Sequence, residues 1–286
     1  MKDISKFILV IAILAITAII AWIFYGIING GKNPIATMEV SYVDNDGNTQ
    51  TGTVKIELDP SVAPESVANF VNLANNGFYD NLTFHRIVSD FMIQGGSGDG
   101  TGSGSAKLSD LDKKIQANSS SDYTYSIKGE FANNNINNNL KFEKGVIGMA
   151  RSDYSSYGLT EEGYNSGSSQ FFIVTTDKKE TLDSLNYNYA SFGKVIEGYE
   201  VVEAISNVKV TTEEGSSEAS KPENAPVIKS IRVDTFGAKY KKPETINYDT
   251  VLQTVQQYQN YYQQLFNNSS TTNVTTETAD DNQTAQ

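Results

Sequence analysis

Along most of this chain apolar and polar positions alternate with a period of two. Thr37 to Val43 places Met38, Val40 and Tyr42 on one face, as in a half-buried strand, and Thr51 to Leu58 does the same with Val54, Ile56 and Leu58. Between them, Asp44-Asn45-Asp46-Gly47-Asn48 predicts a hairpin turn. As a calcium loop it fails, because the glycine falls too early and no glutamate closes it. The period then changes. Over Ser61 to Gly77, Val67, Phe70, Val71 and Ala74 form a helical stripe, with Pro64 and Glu65 in the first turn and Gly77 past the end. Strand patterns return at Leu82–Val88, Phe91–Gly95, Val146–Ala150, Gln170–Val174, Ser191–Ile196 and Val227–Val233, with a short helix over Tyr199–Ile205. Many short strands and few helices predict an all-β fold, mainly β, built as a closed antiparallel sheet.

The connecting segments are polar. Gly95 to Gly104 is glycine-rich but lacks the Gly-Lys-Ser/Thr of a phosphate loop, so a mobile loop is expected there. Ala106 to Ser121 reads as an exposed insertion, Asn133 to Asn139 as a surface loop, and Ser152 to Ser169 as a further loop. After Gly237, a stripe of Tyr248, Val251, Leu252, Val255, Tyr258, Tyr262, Leu265 and Phe266 runs among glutamines. That helix either packs on the domain or serves docking and self-association. Residues 267–286 are Thr-, Asn- and Asp-rich and are expected to be disordered.

The N-terminus differs from everything that follows. Phe7 to Ile28 contains no charged residue, and about 20 apolar residues suffice to span a bilayer as a helix. Lys2 and Lys6 precede it, and Trp22 and Tyr25 lie near its far end. The pattern predicts an uncleaved single-pass anchor in the cell membrane, N-terminus inside, with the rest on the outer, extracytoplasmic face. The alternative is a cleaved signal peptide and secretion, but the apolar run exceeds the usual core of such a peptide and no clear Ala-x-Ala site follows. The expected organisation is an N-terminus at 1–6, an anchor at 7–28, a linker at 29–35, a globular domain at 36–236, a helical extension at 237–266 and a tail at 267–286.

Composition removes several chemistries. The 286 residues carry a formal net charge of −12, which argues against nucleic-acid binding. There is no cysteine and one histidine, so no disulfides, no thiol nucleophile and no conventional zinc site are expected. No metal or cofactor is anticipated. What remains is Arg86 and Gln94 set among Phe91, Met92 and Ile93. An arginine in apolar company suggests a permanent donor aimed into an apolar pocket.

Five motifs now occur in order: Phe84-His85-Arg86, Phe91-Met92-Ile93-Gln94-Gly95-Gly96, Gly145-Val146-Ile147-Gly148-Met149-Ala150, Ser169-Gln170-Phe171-Phe172-Ile173 and Phe192-Gly193-Lys194-Val195-Ile196-Glu197-Gly198. Together they resemble the cyclophilin-type peptidyl-prolyl cis-trans isomerases. Val67-Ala68-Asn69-Phe70 and Asn76-Gly77-Phe78-Tyr79 resemble that family's first helix and its exit. The likeness covers roughly Ala36 to Phe236. It implies a closed eight-stranded antiparallel barrel capped by two helices, and rotation about X-Pro bonds in folding polypeptides. It places Arg86 at the catalytic arginine, Phe91, Met92, Phe172 and Leu182 at walls of the proline pocket, and Gln94 and Gln170 at groups that hold substrate backbone. Ala150 and Arg151 match the strand edge along which the peptide lies.

The chain departs from the pattern in places. Arg151 replaces an asparagine common in eukaryotic members, Thr181 stands where many have a tryptophan linked to cyclosporin binding, and Tyr189 stands for a pocket histidine. His85, within the motif, is expected to be a packing residue. The insertions after Gly104 and Arg151 are longer than the family's loops and are expected near the site. Three functions remain open at this level: an active membrane-tethered foldase, a catalytically weak module or chaperone that only grips proline segments, or an adhesion or assembly role carried by the C-terminal helix and tail. Oligomeric state is not legible.

Overall fold

The computed structural model describes residues 31–272 apart from 214 and 216, together with Thr17. Its centre is one eight-stranded sheet. The strands are β1 (Ile35–Val43), β2 (Thr49–Leu58), β3 (Phe84–Val88), β4 (Met92–Gly95), β6 (Val146–Met149), β7 (Phe171–Val174), β8 (Ser191–Glu197) and β11 (Val227–Asp234). They run in the order β11-β1-β2-β8-β6-β7-β4-β3, and every paired neighbour is antiparallel. The expected closed barrel is corrected here. The sheet curls until its edges approach, but β3 and β11 share no ladder. They meet at one bridge, Thr83 with Val227, and through hydrogen bonds from Asn81 and Phe84 to the backbone of 226–228. Each outer strand is laddered on one edge only, β3 with β4 and β11 with β1, and the contact across the seam is made mostly by residues 81–83, before β3 begins.

The hairpin joining β1 and β2 forms as the pattern predicts. The Asp44 carboxylate accepts from the backbone N–H of Asp46 and Asn48 and from Gln50 Nε2, which closes the turn without a metal. Helices α1 (Pro64–Asn75) and α5 (Tyr199–Ser206) pack onto the sheet, α1 against β11 and α5 against β2 and β4. Three further short helices have too few apolar positions to announce themselves: α2 (Leu108–Leu111), α3 (Thr160–Tyr164) and α4 (Lys179–Asn188). In the ten residues of α4, for example, only Leu185 is fully buried.

The N-terminus of α1 is satisfied from a distance. Ala63 offers no capping side chain, and the buried Glu130 carboxylate accepts from Glu65 N, Ser66 N and Ser66 Oγ at 2.7–2.9 Å. An anion at this end of a helix is favoured by the dipole and by unmet N–H groups. Burial nevertheless raises the Glu130 pKa, against the lowering effect of those hydrogen bonds.

The main core fills the curl of the sheet. Phe70, Tyr79, Phe84, Phe171 and Phe192 are fully buried and pack ring against ring at 5.2–6.1 Å. A second cluster of Met92, Phe142, Val146, Phe172, Val174 and Leu185 lies apart from it.

The insertions are not simply exposed. Ala106 and Leu111 are buried in the main core, and Asn138 is buried while donating to Glu130 O and Ser191 O. A polar insertion can dock wherever two or three apolar residues find a core, a signal too short to show as periodicity. Beyond β11 the chain crosses α1, where Asn72 Nδ2 donates to Lys241 O and Glu244 N to Glu65 Oε2. It then adds a two-residue strand β12 (Ile246–Asn247) to β5 (Tyr125–Ser126) and enters helix α6 (Tyr248–Thr272). That helix extends past the predicted end at 266. Its first turns are the most deeply seated among the described side chains: Tyr248 and Val255 are buried, whereas Leu252, Tyr258 and Tyr261 are exposed. No helix among the described residues is long and apolar enough to cross a membrane; the anchor expected at 7–28 lies outside them, save Thr17.

Candidate active site

Strands β3, β4, β6 and β7 carry the predicted residues onto one face. Arg86 lies opposite Gln94 in the β3–β4 ladder, and Gln94 lies opposite Phe172 in the β4–β7 ladder. With side chains alternating across a strand, Met92 and Gln94 share a face, and so do Gln170 and Phe172. A strand edge therefore presents an apolar group and a polar group in turn.

The apolar end is the second hydrophobic cluster. Met92 is 2% exposed and Phe172 4% exposed, with Phe91, Ala150, Leu182 and Tyr189 partly buried against them. Phe172 is held by a stacked contact with Phe142 at 5.6 Å and an edge contact with Tyr189 at 5.4 Å. Most of the expected pocket walls thus meet in one place. Thr181, on α4, is half-buried and does not belong to the cluster.

Arg86 stands at the rim of this cluster, with 35% of its side chain exposed. Its Nε and Nη2 both donate to the Glu218 carboxylate at 2.9 Å. Its Nη1 faces Gln94 Oε1 at 3.4 Å and Met92 Sδ at 3.8 Å. The fork is therefore anchored on one side and directed toward the groove by the remaining nitrogen, which suits a planar, always protonated guanidinium. Glu218 comes from the turn between β9 (Val210–Thr212) and β10 (Ala219–Pro222), with β10 beside β3. Sequence reasoning missed it, because one glutamate in an acidic turn gives no sign of a partner more than a hundred residues away.

From Arg86 a polar line continues. Gln94 Nε2 donates to Gln170 Oε1 at 2.9 Å, and Gln170 Nε2 donates to Gly102 O and Gly104 O at 2.8 and 2.9 Å. The glycine loop expected to be mobile is hydrogen-bonded throughout. Asp99 Oδ1 accepts from Ser97 Oγ, Thr101 N and Gly104 N; burial opposes, but these bonds win and hold its pKa at about 2. Gly102 sits at φ +90°, and a Cβ there would lie 3.0 Å from His85 Cδ2, so the loop closes onto the histidine. His85 is partly buried beneath that loop. Its Nδ1 is buried without a partner, and burial lowers its pKa, with Asp99 opposing and Arg86 assisting.

Arg151 does not reach out as a free cation. Nε donates to Asn188 O and Nη1 to Ser152 O, while the guanidinium lies 4.9–5.5 Å from the rings of Tyr189, Tyr164 and Phe131. It braces the floor of the groove beside Ala150. Past Gln170 the groove opens into a cavity of about 590 Å³ lined by Gln94, Ala150, Arg151, Ser103, Tyr248 and Leu252, among others. No group of acidic and histidine side chains among the described residues forms a metal site.

An apolar slot, a guanidinium and a row of amides thus lie together on one face of the sheet. The family model for cyclophilin-type peptidyl-prolyl cis-trans isomerases matches residues 43–233, and the chain belongs to that family. Peptidyl-prolyl cis-trans isomerase A of Dickeya dadantii (strain 3937) is 33% identical over 187 residues, covering 65% of this chain and 81% of that one. A putative peptidyl-prolyl cis-trans isomerase of Staphylococcus aureus (strain COL) is 30% identical over 211 residues, covering 65% and 89%. Among solved structures, a Cryptosporidium parvum cyclophilin-type isomerase is 27% identical with a TM-score of 0.47, covering 69% of this chain and 98% of its own. The chain is accordingly a peptidyl-prolyl cis-trans isomerase of the cyclophilin type.

Proposed function

We propose that Arg86 catalyses this rotation and that the isomerase works tethered to the outer face of a cell membrane on extracytoplasmic polypeptides. The observation that carries the catalytic assignment is the aim of Arg86 Nη1 along the groove, beside Gln94 and Met92.

Resonance in an X-Pro amide sets a rotation barrier of about 18–20 kcal/mol, and uncatalysed exchange takes roughly tens to hundreds of seconds. Exchange in milliseconds requires about 10⁵-fold acceleration, or roughly 7 kcal/mol. No bond is broken. As the amide twists, its nitrogen lone pair leaves the π system and accepts a hydrogen bond that the planar amide accepts poorly. A guanidinium N–H placed there binds the transition state better than the ground state, which is the only kind of binding that accelerates the step. Such a charge-assisted bond supplies about 1.5–3 kcal/mol. The rest comes from seating the ring among Phe91, Met92, Phe172, Leu182 and Tyr189 while Gln94, Gln170 and the Ala150–Arg151 edge hold the flanking backbone. Only one side of the bond then has to turn.

A protease-coupled proline-peptide assay with Arg86→Ala tests this role. Equal acceleration by both proteins removes the catalytic assignment, and no acceleration by the unaltered chain leaves a module that only grips proline segments. The tether rests on the uncharged stretch Phe7–Ile28. It is tested by fractionating cells and adding protease outside: an intact chain in the membrane that loses its large domain to protease agrees, and a wholly soluble chain does not.

A further inference from the structure

The chain enters and leaves the eight-stranded sheet at one place. The first strand begins at Ile35, which pairs with Asp234 at the end of β11. Just outside that pair, Lys32 Nζ lies 5.3 Å from the centroid of the Phe236 ring, so the incoming linker and the outgoing segment touch. The outgoing segment is a basic exception in an acidic chain. Residues 235–243 contain Lys239, Lys241 and Lys242 and no carboxylate, against a formal net charge of −12 for the whole.

The backbone under these lysines is fixed. Phe236 N donates to Asp234 Oδ1, Ala238 N to Thr235 O, and Asn72 Nδ2 of α1 to Lys241 O. Tyr240 packs against the main core and Pro243 is buried, while Lys239, Lys241 and Lys242 are exposed. The segment thus turns its ring inward and its ammonium groups outward. Lys242 pairs with Asp112, just past α2. Lys239 and Lys241 have no ion pair among the described residues. Like charges held this close repel one another, a cost that an anionic surface facing them removes.

We infer that this face docks the domain onto the anionic headgroups of the membrane that holds its own tether. The inference rests on the proposed anchor at 7–28. On that reading Lys32 follows Ile28 so closely that it lies at most about 14 Å from the end of the span. The Debye length in physiological salt is about 8 Å. Lysines beside this exit therefore feel the surface, while charges at the far end of β1, about 25–30 Å away, are screened from it. Phosphodiester headgroups serve such cations as counter-ions, as they do for juxtamembrane polybasic segments in general. Docking holds the domain in one orientation instead of letting it swing on its linker.

The chain has no cysteine, so a single thiol can carry a fluorophore. Ala238→Cys marks the basic segment, and Asp46→Cys marks the hairpin at the other end of β1; both sites are exposed. The full chain labelled at either is reconstituted in vesicles of phosphatidylcholine alone, or of equal parts phosphatidylcholine and phosphatidylglycerol, with a trace of nitroxide-headgroup lipid as quencher. The expected result is stronger quenching at Ala238→Cys in the anionic vesicles, lost at about 0.5 M salt, where the Debye length shrinks to roughly 4 Å. Each lysine near such a surface shifts the docked-to-free ratio about 5-fold, so Lys239→Gln with Lys241→Gln should lower it about 25-fold. Turnover of a short proline peptide and the melting temperature should stay unchanged in that double variant, and Lys239→Arg with Lys241→Arg should keep the quenching. Equal quenching in both vesicles, no change in the glutamine variant, or equal quenching at Asp46→Cys overturns the inference. So does soluble polyphosphate binding through the same lysines without any dependence on phosphatidylglycerol. Flotation separates these results from failure of the tether. A chain that floats with both vesicles yet shows no anionic dependence keeps the tether and loses the docking face. One that floats only with anionic vesicles, through those lysines, keeps the docking face and loses the tether, and one that floats with neither loses both.

Discussion

The two ends of the groove are built on opposite principles. At the proline end, Met92, Phe142 and Phe172 come from or pack against the sheet and are almost wholly buried. At the other end, the cavity is walled by loops and by a helix from outside the sheet, and hydroxyls dominate. On the proposed function the first end takes a shape that every proline shares. The second, walled by loops and hydroxyls, is not tied to that shape. Close-packed sheet residues suit the first because any loss of volume is felt at once. Loops at the second change without disturbing the ladder.

The comparison is most easily broken by truncating one side chain at each end. Phe172→Ala is expected to lower unfolding stability by about 3–5 kcal/mol in urea titration and to abolish proline binding. Ser103→Ala, on a half-exposed loop, is expected to change stability by less than about 0.5 kcal/mol. Equal losses at both sites would show that the loop end is as tightly packed as the sheet end. Between the two ends, Arg86→Ala is expected to lower kcat/KM by about 10- to 150-fold with the melting temperature nearly unchanged, the equivalent of one charge-assisted hydrogen bond.

A smaller effect is expected at Glu218, which positions the arginine without touching substrate. Glu218→Gln keeps one acceptor and loses the bidentate carboxylate, so kcat should fall about 2- to 10-fold while KM stays constant. Glu218→Asp should recover part of the loss. A rise in kcat on removing Glu218 would mean that it restrains Arg86 instead of aiming it. The pH dependence should be the mildest. The rate should be flat across neutral pH, because guanidinium groups do not titrate in this range and burial disfavours the charged form of His85. Stability should behave differently. The folded pKa of His85 is depressed, so below its ordinary value near 6.5 the unfolded chain binds more protons and stability falls as pH drops. Unfolding titrations at pH 7.5 and 5.5 on the unaltered chain and His85→Gln should show that slope lessened in the variant.

Much of the proline end was legible beforehand. The alternation of Phe91-Met92-Ile93-Gln94 and Gln170-Phe171-Phe172 already implies which side chains share a face, and the structure brings Phe91, Met92, Phe172, Leu182 and Tyr189 into one cluster. Arg86 was singled out by its apolar company alone. Arg151, expected along the peptide edge, also lies against the rings of Tyr189, Tyr164 and Phe131, contacts that no local pattern announced. Glu218 gave no signal, Tyr248 showed only as the start of a helical stripe, and the glycine loop looked mobile because the bonds that fasten it to Gln170 join residues of different segments. Likewise, strand number follows from the pattern, but whether the outer strands close into a ladder depends on curl and register, and here they stop at a single bridge.

The sequence by itself therefore determined the strands, the first helix and an arginine set among apolar residues, while the walls of the apolar slot were implied by the family resemblance. These are properties of period, residue type and local spacing. Only the tertiary structure decided what holds the arginine, how the loop over Gln170 is fixed, and that the C-terminal extension, the segment after Arg151 and the flanks of the first insertion border one cavity. Those facts depend on polar contacts between segments tens to more than a hundred residues apart. Such contacts have no periodicity and leave no mark on the chain until the sheet has curled and brought its ends together.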